Sequence, residues 1–378
     1  MPIYKANGKK DGLQKYLVRI NYISYSGEPK QLTRTVYGKE SAKDLEMKLT
    51  AEKKESGGVQ AKKMTVQQLF DQYIAFKKYE VRESSLDNSR RTIENHILPK
   101  FKDIRIDRLN VDNLQKWKIS MEETSLSLGS KKNVYDKFKA MLNYAVKMEY
   151  ILKNPLLIVG TFTDVTSIKK EMDYYTAQEF QHFIKTAKTI AQEKEARNKN
   201  LSEWDFYVFF NIAFYTGLRR GEIIALKWSD IDGSYLSVKR SISQYLGGEA
   251  RETPPKNKSS FRTLQLPLPL MKILEEHKKR QKDLETFCSD FRICGGEQPI
   301  NAYTAGERNK LYARLSESKK IRIHDYRHSH ASILANEGIN IQEIARRLGH
   351  SKIELTWNTY SHLYPREEER AVNVLNSL

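Results

Sequence analysis

Residues Ile323 to His362 read IHDYRHSHASILANEGINIQEIARRLGHSKIELTWNTYSH. His324 and Arg327 stand three apart, so a helix would carry both on one face, within reach of one anion. Ile333, Leu334, Ile341, Ile344, Ala345 and Leu348 then recur as an apolar stripe at helical spacing. Gly338 interrupts the stripe, and Gly349 follows Leu348 where a helix would stop. His350 comes next, and Tyr360 ten residues later. A cationic pair, a second histidine and an isolated tyrosine on short helices point to a site for a phosphate and a nucleophile. Tyrosine is common in this chain, 21 of 378 residues, so this stretch alone also suits an ordinary helix surface.

A second stretch decides between the two. Tyr215 to Asp232 reads YTGLRRGEIIALKWSDID. Together the stretches present T-G-x-R-x-x-E-x-x-x-L, then H-x-x-R-H, then L-G-H-S, then T-x-x-x-Y-x-H, in that order. This set resembles the tyrosine recombinases, the lambda-integrase-like integrases of phages and integrative elements. The resemblance covers residues 64 to 364, and the first sixty more loosely. It implies a multidomain, mainly α protein. A small β-sheet amino-terminal domain at 1–60 would bind arm-type DNA. A SAM-like helical bundle at 64–155 would bind the core site. A mostly helical catalytic domain with a small β-sheet would occupy 173–378.

Composition agrees with an anionic partner. The formal net charge is +18 and the sequence pI about 9.5, and nucleic acid is the usual partner of such a chain. Cys288 and Cys294 form no disulfide framework or zinc spacing and read as reduced thiols of a cytoplasmic protein, nucleoid-associated when bound. The start, MPIYKANGKK, has no apolar signal region, and no run of eighteen apolar residues occurs, so neither secretion nor a membrane is expected.

Alternation at Tyr16, Val18 and Ile20, a turn at Ser26–Pro29 and a second run at Gln31–Tyr37 predict two or three strands. A helix over Ser41–Lys54 follows, with Leu45 and Leu49 inward. Lys15, Arg19, Lys30 and Arg34 stud the sheet and suit DNA contact. Glu55–Lys63 reads as a linker. Thr65 with Gln68 makes a capping box that opens a four-helix block, one helix of which is expected to end at Pro99. Arg90, Arg91, Lys131 and Lys132 are expected off its apolar stripes, on a face for duplex DNA. Thr176 with Glu179 makes a second box, and Trp204–Tyr215 reads as a buried helix. Tyr235–Tyr245 and Arg262–Leu266 read as one hairpin around the polar loop ETPPKNKSS.

Phosphodiester cleavage builds negative charge that must be met in the transition state. Arg219 and Arg327 can give forked hydrogen bonds to phosphate oxygens, and His324 and His350 can add donors or move protons. Glu222 is placed to orient an Arg or His rather than to approach DNA. The resemblance makes Tyr360 the nucleophile of a 3′-phosphotyrosine link and gives the leaving 5′-oxygen its proton from a hairpin lysine. Lys256 is preferred there, with Lys258 as the alternative, because Asn257 departs from the family's usual threonine. His328, His330 and His362 are expected to be structural or supporting, and Tyr364 lacks the register of a nucleophile.

The resemblance further implies no cofactor or metal, and duplex DNA with core and arm sites as substrate. It implies a homotetramer on synapsed DNA, and admits an excisionase and a host DNA-bending protein as accessory partners. A tail helix with Ala371, Val374, Leu375 and Leu378 on one face would fold back on its own domain or, as the resemblance suggests, dock on a neighbouring protomer. A type IB topoisomerase shares this chemistry, and a non-catalytic DNA-binding regulator shares the charge. The amino-terminal basic sheet and the LGHS stretch favour a recombinase over the topoisomerase, and the intact set of candidate catalytic residues argues against the regulator.

Overall fold

The computed structural model describes residues 3–23, 29–55, 64–164, 172–198, 201–244, 250–254, 258–284 and 286–364, with 372, 375 and 376. It divides into two compact units, Met1–Ile168 and Lys169–Leu378. The chain is mainly helical and multidomain, with small sheets in both units.

The first unit opens with antiparallel strands β1 (Ile3–Lys10), β2 (Leu13–Ile23) and β3 (Pro29–Tyr37), in the order β1-β2-β3. Asp11 and Gly12 turn β1 into β2 with φ of 50° and 77°, the positive pair that a tight two-residue hairpin needs. Helix α1 (Lys39–Glu55) packs on the sheet, burying Ala42 and Val18 completely. The turn at 24–28 and the linker at 56–63 lie outside the described residues.

The helices α2 (Val66–Lys77), α3 (Glu83–His96), α4 (Leu98–Phe101), α5 (Val111–Glu122), α6 (Leu128–Lys147) and α7 (Leu156–Val159) form one bundle. Its caps are local. Thr65 and Gln68 exchange hydrogen bonds at the start of α2, and Asn110 and Asn113 do so at α5. Pro99 does not end a helix as expected. It sits in the first turn of α4, where its missing N–H is no loss. Phe101, Trp117, Phe138 and Phe162 fill the core, with the Trp117 and Phe138 ring centroids 5.4 Å apart.

The cationic candidates of this unit separate. Arg34, Arg90, Arg91 and Lys132 are exposed, and Lys15 is half-buried. Arg19 lies with its guanidinium 4.8 Å from the Tyr4 ring centroid. Lys131 turns inward instead of outward. Only 8% exposed, it donates to the Glu122 carbonyl at 2.9 Å and to Glu122 Oε2 at 3.1 Å. Burial without that pairing would be costly, so the helix register and Glu122 fix it together. The Lys30 side chain lies outside the described set.

The second unit is built around one helix. Helix α8 (Ala177–Asn198) starts at the Thr176–Glu179 capping box. Next comes α9 (Ser202–Thr216), apolar around most of its circumference and buried along most of its length. Phe180 of α8 stacks on Phe214 of α9 with centroids 3.8 Å apart. Then come α10 (Arg220–Ala225), β4 (Ile231–Asp232) and β5 (Tyr235–Val238). The expected single hairpin is two pairings. β6 (Ser241–Gln244) and β7 (Ala250–Thr253) form a ribbon of their own, so Glu252 and Thr253 belong to a strand rather than to the loop. β8 (Arg262–Gln265) returns to β5, completing the order β4-β5-β8.

Helices α11 (Leu268–Lys282), α12 (Ala302–Leu315), α13 (Asp325–Asn336), α14 (Ile341–Leu348) and α15 (Ile353–Tyr360) complete the unit. Cys288 is exposed, Cys294 is buried, and both are free thiols. Among the described residues no helix is long and apolar enough to cross a membrane. Of the tail-helix residues named above, only Leu375 is described, as an exposed helical residue, and the rest lie outside.

Candidate active site

Helix α9 ends where the site begins. Its cap, Gly217, has φ of 63°, and a Cβ there would lie 2.8 Å from His330 and 2.9 Å from Leu348. Only glycine allows both the left-handed turn and the close approach of α13 and α14. The Gly217 carbonyl accepts a hydrogen bond from Arg327 Nη1 at 3.0 Å. The first motif stretch therefore anchors the second directly.

Arg219 follows as the N-cap residue of α10, with its side chain 39% exposed. Glu222, one turn on and 3% exposed, accepts from the Arg219 backbone N–H at 3.0 Å and from Arg219 Nη1 at 2.9 Å. Its Oε2, which takes the Arg219 N–H, also accepts from Arg262 Nη2 at 2.9 Å. Burial alone would raise the Glu222 pKa. Arg262 and Arg219 outweigh it and hold the carboxyl below the usual range. Arg262 in turn donates from Nε to the Arg347 carbonyl at 2.7 Å and from Nη1 to the Ser260 carbonyl at 3.0 Å. One guanidinium thus ties β8 to α10 and to the end of α14. Nothing in the spacing of Arg262 announced this.

Arg327 is the deepest cation of the group, 3% exposed. Its Nη2 is buried with no hydrogen-bond partner among the described residues. Burial, with Arg219 close by, pulls its pKa down to about 9. A desolvated guanidinium with one bare N–H corner suits an oxyanion that arrives from outside.

The histidines divide into different tasks. His324 is the N-cap residue of α13 rather than a residue within the helix, and it is exposed. His350 lies between α14 and α15, its Nδ1 paired with Thr356 Oγ1 at 2.7 Å. Burial and then Arg327 lower its pKa to about 4. His330 is structural. It is buried, its Nδ1 is paired with the Phe214 carbonyl at 3.1 Å, and burial takes its pKa to about 3. His362 sits in the 3-10 turn Ser361–Leu363.

Tyr360, the last residue of α15, is 2% exposed. Its hydroxyl lies 2.5 Å from Nδ1 of His328. Burial raises its pKa above the phenol range even though Arg327 pulls the other way. Tyr364 is tied elsewhere, its hydroxyl donating to the Ile339 carbonyl at 2.5 Å. The structure therefore brings together Arg219, Glu222, His324, Arg327, His350 and Tyr360, and adds Arg262 and His328. The available sign for His328 was its place one turn after His324, on the same helix face. Lys256 and the Lys258 side chain lie outside the described residues. Beside Arg219 and His324 opens a cleft of about 1130 Å³, lined also by Arg220, Arg314, Lys320 and Arg322. Arg220, beside Arg219 in sequence, turns to that cleft.

A buried tyrosine thus stands close to one guanidinium with a bare nitrogen and to others that are paired. Residues 173–367 match the phage integrase family and residues 65–121 its N-terminal SAM-like domain, and the chain belongs to that family of tyrosine recombinases. The ICEBs1 integrase of Bacillus subtilis is 26% identical over 380 residues, covering 98% of each chain. A XerC-like tyrosine recombinase of Caldanaerobacter subterraneus is 30% identical over 263 residues, 64% of each. Among solved structures, the Tn1549 transposon integrase with a circular intermediate DNA aligns at a TM-score of 0.65. It is 20% identical, over 83% of this chain and all of that one. The lambda integrase tetramer bound to a Holliday junction aligns at 0.53, with 15% identity, over 93% and 96%. These two likenesses show the shared fold.

Proposed function

We propose that this chain is the integrase of a mobile element, joining and separating DNA at attachment sites through a covalent 3′-phosphotyrosine. The single observation that carries this reading is the buried Arg327 with a bare Nη2, charge-coupled to the equally buried Tyr360. A protein leaves a buried guanidinium nitrogen unpartnered at a cost, and an incoming phosphate oxygen would satisfy it. Tyr360 Oη attacks phosphorus, the 5′-oxygen leaves, and the phosphotyrosine keeps the bond energy for resealing without ATP. Arg219, Arg327, His324 and His350 hold the charge that develops on the non-bridging oxygens. Glu222 holds Arg219. Lys256, with Lys258 as the alternative, protonates the leaving oxygen.

The family membership and the likeness to the ICEBs1 integrase over 98% of each chain support the recombinase role. The cationic cleft beside Arg219 supports a path for the DNA backbone, and the exposed Arg34, Arg90, Arg91 and Lys132 support further contacts in the first unit. Work as a tetramer on synapsed core sites follows by analogy with the lambda integrase assembly.

The test is a nicked suicide duplex taken from the junction between the element and the chromosome. Wild type should form an adduct that survives denaturant. Tyr360→Phe should bind the duplex and form none. An adduct formed by Tyr360→Phe, but lost in Tyr364→Phe, would overturn the assignment. Exchange between two such sites separates a recombinase from a DNA-relaxing enzyme.

A further inference from the structure

We infer that His328 is the proton acceptor for Tyr360, so that the histidine of the H-x-x-R pair, His324, is left to bind phosphate. This rests on the nucleophile assignment proposed above and deepens it. The geometry is specific. His328 Nδ1 and Tyr360 Oη are 2.5 Å apart, and no other side chain among the described residues hydrogen-bonds that hydroxyl. The His324 ring stands 5.2 Å from the His328 ring, centroid to centroid. A general base must lie within hydrogen-bond reach of the proton it removes, and in this site His328 meets that condition.

Tyr360 cannot shed its proton to bulk water, because its hydroxyl is enclosed. Phenolate formed ahead of attack would be a buried anion, so transfer belongs in the same step as bond formation. As Oη–P forms, the proton passes from Oη to Nδ1, P–O5′ breaks, and the 5′-oxygen takes its proton from the hairpin lysine. Resealing reverses each transfer, with Nδ1 returning the proton to Oη as the 5′-hydroxyl attacks.

The acceptor must be neutral before DNA arrives. The charged and titratable groups around His328 are His324, Asp325 and Arg327 at the start of α13, Arg322 ahead of it, and Tyr360 on α15. Burial, then the cationic neighbours, keep its pKa at about 4, with Asp325 opposing. The ring is therefore a neutral acceptor at ordinary pH. A bound phosphodiester adds negative charge and makes the imidazolium easier to form at the moment it is needed.

Three measurements on the full-length protein test this. In the DNA-free wild type, nitrogen NMR of labelled histidine should show His328 protonated at Nε2 and not at Nδ1, with Nδ1 shifting in Tyr360→Phe. A proton on Nδ1 would overturn the inference. In single-turnover cleavage of the junction duplex with a 5′-phosphorothiolate leaving group, the lysine's proton is not needed. His328→Ala and His328→Gln should then cleave about 100-fold more slowly near pH 7, with duplex binding kept. Their rates should rise with pH, where wild type stays flat from pH 6 to 8. His324→Ala should slow cleavage without acquiring that slope. Wild-type rates in both His328 variants, or the slope appearing in His324→Ala instead, would overturn the inference alone. A wild type that forms no adduct at all would overturn the proposed function and this with it.

Discussion

Arg262 Nη2 donates to Glu222 Oε2 at 2.9 Å, and both side chains are at most 4% exposed. The pair joins a sheet strand to the turn that carries Arg219. Removing one partner leaves the other charge buried and alone. Glu222→Ala and Arg262→Ala should each destabilise the protein by about 3–5 kcal/mol in denaturant unfolding. Arg262→Lys should recover only part of this, since an ammonium lacks the fork that reaches Glu222 and the Arg347 carbonyl together. Unfolding midpoints unchanged in all three variants would refute the arrangement.

Arg219→Ala and Arg327→Ala should each remove about 3 kcal/mol of transition-state stabilisation, by analogy with single oxyanion donors. Single-turnover cleavage should fall by roughly 100-fold. Duplex affinity should fall far less, because many other cations meet the backbone. Near wild-type cleavage in either variant would remove it from the chemistry.

Cleavage should persist in excess EDTA, since guanidinium and imidazole groups take the part of a cation. Activity abolished by chelator and restored by magnesium would demand another mechanism.

The second unit should be acid-labile while free of DNA. His328 and His350 are held at about 4 and His330 at about 3 in the folded protein, against roughly 6.5 unfolded. Between these values the unfolded chain binds more protons, so stability is full above about pH 6.5 and declines as pH falls toward 4. Circular-dichroism melts across that range should show the decline. Core-site duplex should reduce it, because phosphate raises the proton affinity of His328 and His350. A melting temperature constant from pH 7 to 4 would count against the burial of these rings.

Deleting Ala371–Leu378 should weaken synapsis and recombination while single-site binding stays nearly intact. A short apolar helix needs a surface to rest on, and a neighbouring protomer is the one proposed. Gel-resolved synaptic complexes read the effect. Wild-type assembly by the truncated protein would show that the tail has no such part.

Local signals were legible and distant pairings were not. The capping boxes at Thr65 and Thr176, the buried run in α9 and the four motifs need only neighbours in sequence, so each could be read from spacing. The split of the expected hairpin depends on which strand Arg262 joins, a contact made across more than twenty residues. Lys131 looked like an outward lysine because its partner, Glu122, belongs to another helix. His328 was set aside because its value depends on how α13 meets α15, which no periodicity encodes.

Gly217 has a genetic consequence. One added methyl would press on His330 and Leu348 and strain a backbone that also supplies the Arg327 anchor. The substitution removes none of the side chains proposed to meet DNA. Gly217→Ala should therefore behave as a heat-sensitive allele, with recombination at low growth temperature and none at high. Such a strain would let an element be held in place or released by a shift in temperature alone.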